Sequence, residues 1–283
     1  MNNLFELQQL THAALAQYHR WYQVYEVPFT KERIENQKDI LADDVEITTS
    51  AGTMKGKAEV EDRLKVYEGW LNAHHIQQTK VAMLPDGKIS LEADIEYQNI
   101  RPDQSKFSYT IHYSTELQPR ENDLPLFTSL QLKPTGEVKE FQFEAAYHEN
   151  RSKSFMHYWL YLMETQKGKS DKFKELLSKD FSLQLSSGQI VDNLDKFDTW
   201  FKSVCAPIFT STHAHKNFSV VDNKDNTFSV SLDFDWKAIN IKNENMIAET
   251  HHEWLLENNM DDRFAKMKTM KVSIIKPFQV VSY

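Results

Sequence analysis

Imidazoles, phenols and indoles that share one face of a strand are the groups in this sequence best suited to hold or act on a small molecule. In residues 227–239, Phe228, Val230, Leu232, Phe234 and Trp236 alternate onto one face. In residues 245–257, Met246, Ala248, Thr250, His252 and Trp254 do the same. The matching sets in the first half are Ile89, Leu91, Ala93, Ile95 and Tyr97, then Phe107, Tyr109, Ile111, Tyr113 and Thr115. Faces this apolar belong on the inner side of a sheet. Their polar or amphipathic members would then reach a pocket: His74, Tyr97 and Tyr113 in the first half, His213, Trp236, His252 and Trp254 in the second. Tyr158 and Trp159 join the second set from a helix. Large rings bury area while histidines fix orientation, so the second half is expected to be the binder of an apolar molecule with one or two oxygen functions. A filled core in which each Tyr and His finds a partner fits the same pattern.

The opposite strand faces carry Asp94, Glu96 and His112, and again Asp233, Asp235 and His251, with Glu249 and Glu253 added in the second half. A carboxylate beside a histidine orients the ring and raises its basicity, as a general base requires. These faces read as convex, however, and are expected to meet solvent or each other where the halves join. Three imidazoles drawn from His213, His215, His251 and His252 could hold a zinc ion. Ile76 stands where His215 would repeat, so no metal is expected. The sequence has no glycine-rich phosphate loop, no G-x-S-x-G elbow and no cysteine cluster, and no cofactor is expected. Cys205, the only cysteine, reads as a core thiol. Few acids fall on the inner faces, so no residue is assigned a catalytic role from the sequence.

The elements that position these residues occur twice. Laid without a gap over 213–256, residues 74–117 match His74 to His213, Asp94 to Asp233 and His112 to His251, with the alternating runs ISLEADIEYQNI and FSVSLDFDWKAI in phase. Upstream, LADDVEITTSAG resembles LSKDFSLQLSSG, and His19-Arg20-Trp21 resembles His157-Tyr158-Trp159. Helices are expected at 5–24 and 152–166, and shorter ones at 31–42 and 169–178. Strands follow at 44–50 and 180–186. Amphipathic helices carry Val60, Leu64, Tyr67 and Leu71, then Leu194, Phe197, Phe201 and Val204. Three long strands and a last one close each copy, with 135–151 as the connection. The order is α+β.

This order, with Leu-x-x-Asp-apolar entering the first strand and a histidine opening the strand after the amphipathic helix, resembles the nuclear transport factor 2-like superfamily, nearest its SnoaL-like group. The resemblance implies two tandem cystatin-like cones, residues 1–140 and 141–283, each with helices packed on a curved, mainly antiparallel sheet. Because members often pair through their sheets, it also implies an intramolecular pseudo-dimer. The superfamily includes cyclases, isomerases, dehydratases and hydrolases, and also domains without chemistry.

Composition narrows the partners. Apolar residues make up 40% and charged residues 26% of 283 residues, and the formal net charge is −8 with the basic residues dispersed. Binding to nucleic acid or to an anionic membrane surface is not expected without a concentrated basic face. A lone cysteine and an N-terminus without a basic start and apolar core lead to the expectation of a cytoplasmic protein. Three readings stay open: an enzyme with an acid or His in an open cavity, a non-catalytic binder of apolar molecules, and an interaction module with filled cones.

Overall fold

The computed structural model describes residues 2–281 and divides by contacts into two units. The first unit holds residues 13–154 with 261–263, and the second holds the described residues of 2–12, 155–260 and 264–281. The division therefore differs from the sequence boundary at residue 140. It falls inside two long helices, α1 (Asn2–Gln23) and α4 (Tyr147–Thr165), each of which gives its first turns to one unit and the rest to the other. The segment 261–263 belongs with the first unit for polar reasons. Arg33 pairs with Asp261 at 2.9 Å, Arg151 donates to the Asp262 carbonyl at 2.8 Å, and Arg263 lies 3.1 Å from Asp39. Arg151 is only 2% exposed, so the Asp262 carbonyl and that of Arg263, 2.9 Å away, are what make its burial tolerable.

In the first unit, α1 is followed by α2 (Lys31–Lys38), whose N-cap Thr30 accepts from the Arg33 amide at 3.2 Å. Next come β1 (Leu41–Thr49), β2 (Gly52–Lys55), α3 (Gly56–Leu64), β3 (Leu71–Met83), β4 (Ile89–Ile100), β5 (Lys106–Arg120) and β6 (Asp123–Glu137). The sheet order is β2-β1-β6-β5-β4-β3, with β1 and β6 parallel and every other pair antiparallel. In the second unit, α4 leads through a 3-10 turn to β7 (Leu177–Gln184), β8 (Ile190–Val191), α5 (Leu194–Cys205), β9 (Ile208–Asp222), β10 (Thr227–Asn240), β11 (Asn245–Glu257) and β12 (Lys266–Val281). Its order, β8-β7-β12-β11-β10-β9, repeats that of the first unit, including the one parallel pair. The register repeats as well: Asp94 lies across from His112 and Asp233 from His251, and His74 across from Tyr97 and His213 from Trp236. The chain carries the same α+β arrangement twice.

Local sequence accounts for most of these elements. Ile89, Leu91, Ala93 and Ile95 are buried, as are Phe228, Val230, Leu232 and Phe234, so the period-two pattern selects the inner face in both sheets. Val60, Leu64, Phe197 and Phe201 are buried at helical spacing. Leu71 departs from its expected helix: it begins β3 and is exposed. The short helix expected over 169–178 is a 3-10 turn over Asp171–Glu175, and the short hairpin strands β2 and β8 escaped the sequence pattern. After α4 the chain reverses at Gly168, whose φ is +84 and whose added Cβ would sit 3.3 Å from the Lys202 Cα, so this turn requires glycine. Among the described residues no helix is long and apolar enough to cross a membrane.

Candidate functional site

The last turn of α4 brings Glu164 against the start of β9. One carboxylate oxygen, Oε1, accepts the backbone N–H of His213 at 2.7 Å and lies 3.0 Å from its Nδ1. A carboxylate only accepts, so Nδ1 carries the proton and the neutral ring keeps its lone pair on Nε2. The Glu164 side chain is fully buried, while that of His213 is 17% exposed. Among the described residues nothing bonds His213 Nε2, and the ring forms part of a cavity wall.

His12 supports this pair from behind. Its Nε2 donates to the His213 carbonyl at 3.0 Å, leaving Nδ1 to accept from His157 Nδ1 at 3.0 Å. That assignment requires a neutral His12. Burial lowers its pKa most strongly, against the attraction of Glu164. Among the described residues the second oxygen of Glu164, Oε2, is buried without a hydrogen-bond partner.

The cavity has a volume of about 530 Å³. Trp159, Leu160 and Met163 reach it from α4, Trp200 from α5, and Phe234 and Trp236 from β10. Phe209 and Phe278 also line it while 58% and 51% exposed, so they form its mouth. The volume and the mostly apolar wall suit a small organic molecule. On β11, His252 and Thr250 supply polar groups. Burial, and then the neighbouring His213 and His251, push the pKa of His252 down to about 3, so this ring is neutral at ordinary pH.

The first unit repeats the acid–imidazole pair but encloses it. Glu26 Oε1 accepts the His74 amide at 2.8 Å and lies 3.1 Å from Nδ1. Asn150 takes the place of His12: its amide donates to the His74 carbonyl at 3.0 Å and to Glu26 Oε2 at 3.2 Å. The His74 ring is stacked between Tyr22 and Tyr97, with centroids 4.6 and 4.7 Å away. Tyr97 donates to Asn72 at 2.7 Å, and Tyr113 meets Tyr18 and Tyr22 edge-on. Burial pushes the Tyr97 and Tyr113 hydroxyls far above their ordinary pKa. The cause of the difference lies on the helices: Tyr18, Tyr22 and Tyr25 stand where the second unit has Met156, Leu160 and Met163.

The structure thus gathers four of the sequence candidates, His213, Trp236, His252 and Trp159, around one cavity. His74, Tyr97 and Tyr113 are instead packing residues of the first unit. Tyr158 does not reach the cavity: it donates to Glu175 at 2.8 Å and stacks on Phe264. Trp254 is 3% exposed, lies against Phe155 and Phe234, and meets the cavity wall through Phe234 and His252 rather than lining it. Cys205 lines the cavity rather than the core, and burial pushes its thiol pKa up. On the outer faces, His112 lies 2.7 Å from Asp94 and 2.9 Å from Glu92, and His251 lies 2.7 Å from Asp233, all within reach of solvent. His251 and His252 point to opposite faces of β11. Among the described residues no three metal-ligating side chains converge. Glu164, His12 and Thr250 were not singled out by sequence. A signal for Glu164 existed: Glu26 and Glu164 follow His19 and His157 at the same spacing.

No family model and no curated protein matches the sequence. Solved structures resemble about half of the chain. A hexachlorocyclohexane dehydrochlorinase from Novosphingobium barchaimii is 17% identical, spans 50% of this chain and 98% of its own, and has a TM-score of 0.42. A putative scytalone dehydratase from Novosphingobium aromaticivorans is 10% identical, covers 51% of this chain and 95% of its own, and scores 0.41. An uncharacterised cystatin-like-fold protein from Caulobacter vibrioides is 10% identical, covers 46% and 91%, and scores 0.38. These are likenesses of fold, and the chemistry of the site stands on its own side chains.

Proposed function

We propose that the second unit binds a small, largely apolar molecule and removes a proton from it, with His213 as general base and Glu164 as the group that fixes its tautomer. The observation that carries this reading is the fully buried Glu164 carboxylate holding His213 Nδ1–H while Nε2 stands bare at the wall of an apolar cavity. A base so placed needs no reorientation, and the carboxylate stabilises the imidazolium formed when the proton arrives. Proton abstraction of this kind opens isomerisation, elimination or cyclisation, depending on what the substrate carries. The first unit, whose equivalent histidine is sandwiched between two phenol rings, fits the non-catalytic reading.

A carbon acid of the right shape tests this. α-Tetralone, a bicyclic ketone, is expected to perturb the emission of Trp159, Trp200 and Trp236 and to exchange its α-protons for deuterium in heavy water. His213→Gln is expected to abolish enzymatic exchange and leave binding in place. Exchange at the wild-type rate in His213→Gln, or no binding by any member of a panel of apolar bicyclic molecules, overturns the reading.

A further inference from the structure

Thr250, His252 and Trp254 alternate on the inner face of β11 and form a directed hydrogen-bond chain. The Trp254 indole can only donate, and its Nε1 points to His252 Nδ1 at 3.4 Å. His252 Nδ1 is therefore the acceptor, and the proton of the neutral ring sits on Nε2. That nitrogen lies 3.0 Å from Thr250 Oγ1, so it donates and the hydroxyl oxygen accepts. The Thr250 hydroxyl proton is left without an acceptor among the described residues, and Thr250 lines the cavity. Burial keeps His252 uncharged, so the direction of the chain does not reverse near neutral pH.

The register places this donor across the cavity floor from His213. Phe234 pairs with Thr250 on one side, and its neighbour on the same face, Trp236, pairs with His213 on the other. The Phe234 ring meets His213 and His252 edge-on, with centroids 5.7 and 4.9 Å away. Strands β9 and β11 are two spacings apart, about 10 Å. A flat molecule lying over Phe234 would have a base at one side and a hydroxyl donor at the other.

Resting on the general-base reading of His213, we propose that Thr250 is the oxygen-binding donor of the site and that the substrate class is a ring-sized apolar ketone. In the step this implies, His213 Nε2 takes a proton from the carbon next to the carbonyl. The C–H electron pair forms a carbon–carbon double bond, and the carbonyl π pair moves onto oxygen. The Thr250 hydroxyl donates to the enolate oxygen so formed, with His252 and Trp254 polarising it from behind. Return of a proton to the same or a conjugated carbon completes exchange or isomerisation, and no oxidant or further reactant is needed.

α-Tetralone and tetralin differ by the carbonyl alone, and the ketone oxygen can accept but not donate. Titration followed by tryptophan emission is expected to show the ketone binding about tenfold more tightly than the hydrocarbon, the worth of one well-formed buried hydrogen bond. Thr250→Val should bring the two affinities together without weakening tetralin, and should slow α-proton exchange. Thr250→Ser should restore both, and unchanged tetralin binding shows that each variant is folded. Equal affinity of wild type for the two molecules, or a ketone preference that survives Thr250→Val, overturns the role of Thr250 while leaving the base intact. Failure of both molecules to bind wild type overturns the cavity reading and this one together.

Discussion

Glu164 and His213 are joined through a single carboxylate oxygen, which takes both the backbone N–H and Nδ1–H of the histidine at 2.7 and 3.0 Å. The backbone bond locks the carboxylate to the strand, and the side-chain bond locks the ring to the carboxylate. Glu164→Gln keeps an acceptor in place but removes the charge that stabilises the imidazolium. Ketone α-proton exchange is expected to fall about a hundredfold or more, with tetralin affinity unchanged. Exchange kinetics beside a binding titration separate the two effects, and a parallel loss of both would assign Glu164 to structure alone.

His12→Asn copies the first unit into the second. There, Asn150 satisfies Glu26 Oε2, the His74 carbonyl and His19 at once, whereas His12 leaves Glu164 Oε2 without a partner among the described residues. An amide at position 12 supplies the missing donor, so thermal stability should rise by about 1 kcal/mol. His12→Ala should lower it. Calorimetric melting of the two variants checks the sign, and a destabilised His12→Asn would show that the imidazole itself is required.

Tyr22 fills the first unit and is wholly buried. Truncation to alanine should cost about 3–5 kcal/mol, as for other buried aromatics. The milder pair Tyr22→Leu and Tyr25→Met introduces the residues of the second unit and should cost less while uncovering His74. A second class of α-tetralone sites is expected to appear by equilibrium dialysis. A single site per chain, the number expected of wild type, would mean that the remaining rings collapse into the space.

His252 makes stability sensitive to acid. Its pKa is depressed in the folded chain from 6.5 to about 3, first by burial and then by His213 and His251. Below pH 6.5 the unfolded chain takes up a proton that the folded chain refuses until about pH 3, so stability falls as pH drops through that window. The slope from this group is at most about 1.4 kcal/mol per pH unit, and His12, also depressed, adds in the same direction. Urea melts at pH 7 and pH 5 should show a smaller loss for His252→Gln than for wild type. Identical losses would place the acid sensitivity elsewhere.

Much of the fold was legible because it is written in local periodicity. The in-phase runs around Asp94 and Asp233 and the paired histidines at 74 and 213 set strand faces, register and the repeat before any contact was known. Part of the cavity wall was legible for the same reason: His213, Trp236 and His252 lie on strand faces that alternation defines, and Trp159 on a helix that the repeat places. Tyr158 sits about 100° round the helix from Trp159, on the side away from Leu160, and meets Glu175 and Phe264 instead of the cavity.

The sequence by itself determined that there are two α+β copies, which residues face inward, and that the second copy carries the histidine-rich wall. It could not decide which interior is open, because that depends on how side-chain volumes from helix and sheet add up across the core. In the first unit Tyr22 and Tyr97 close over His74, while leucine and methionine at the helical positions of Tyr22 and Tyr25 line a cavity in the second. Nor could it assign His12 to Glu164 and His213, which are far from it in the chain. That contact exists because the first turns of α1 belong to the second unit, and a pairing across so long a separation is set by tertiary packing, not by any local spacing.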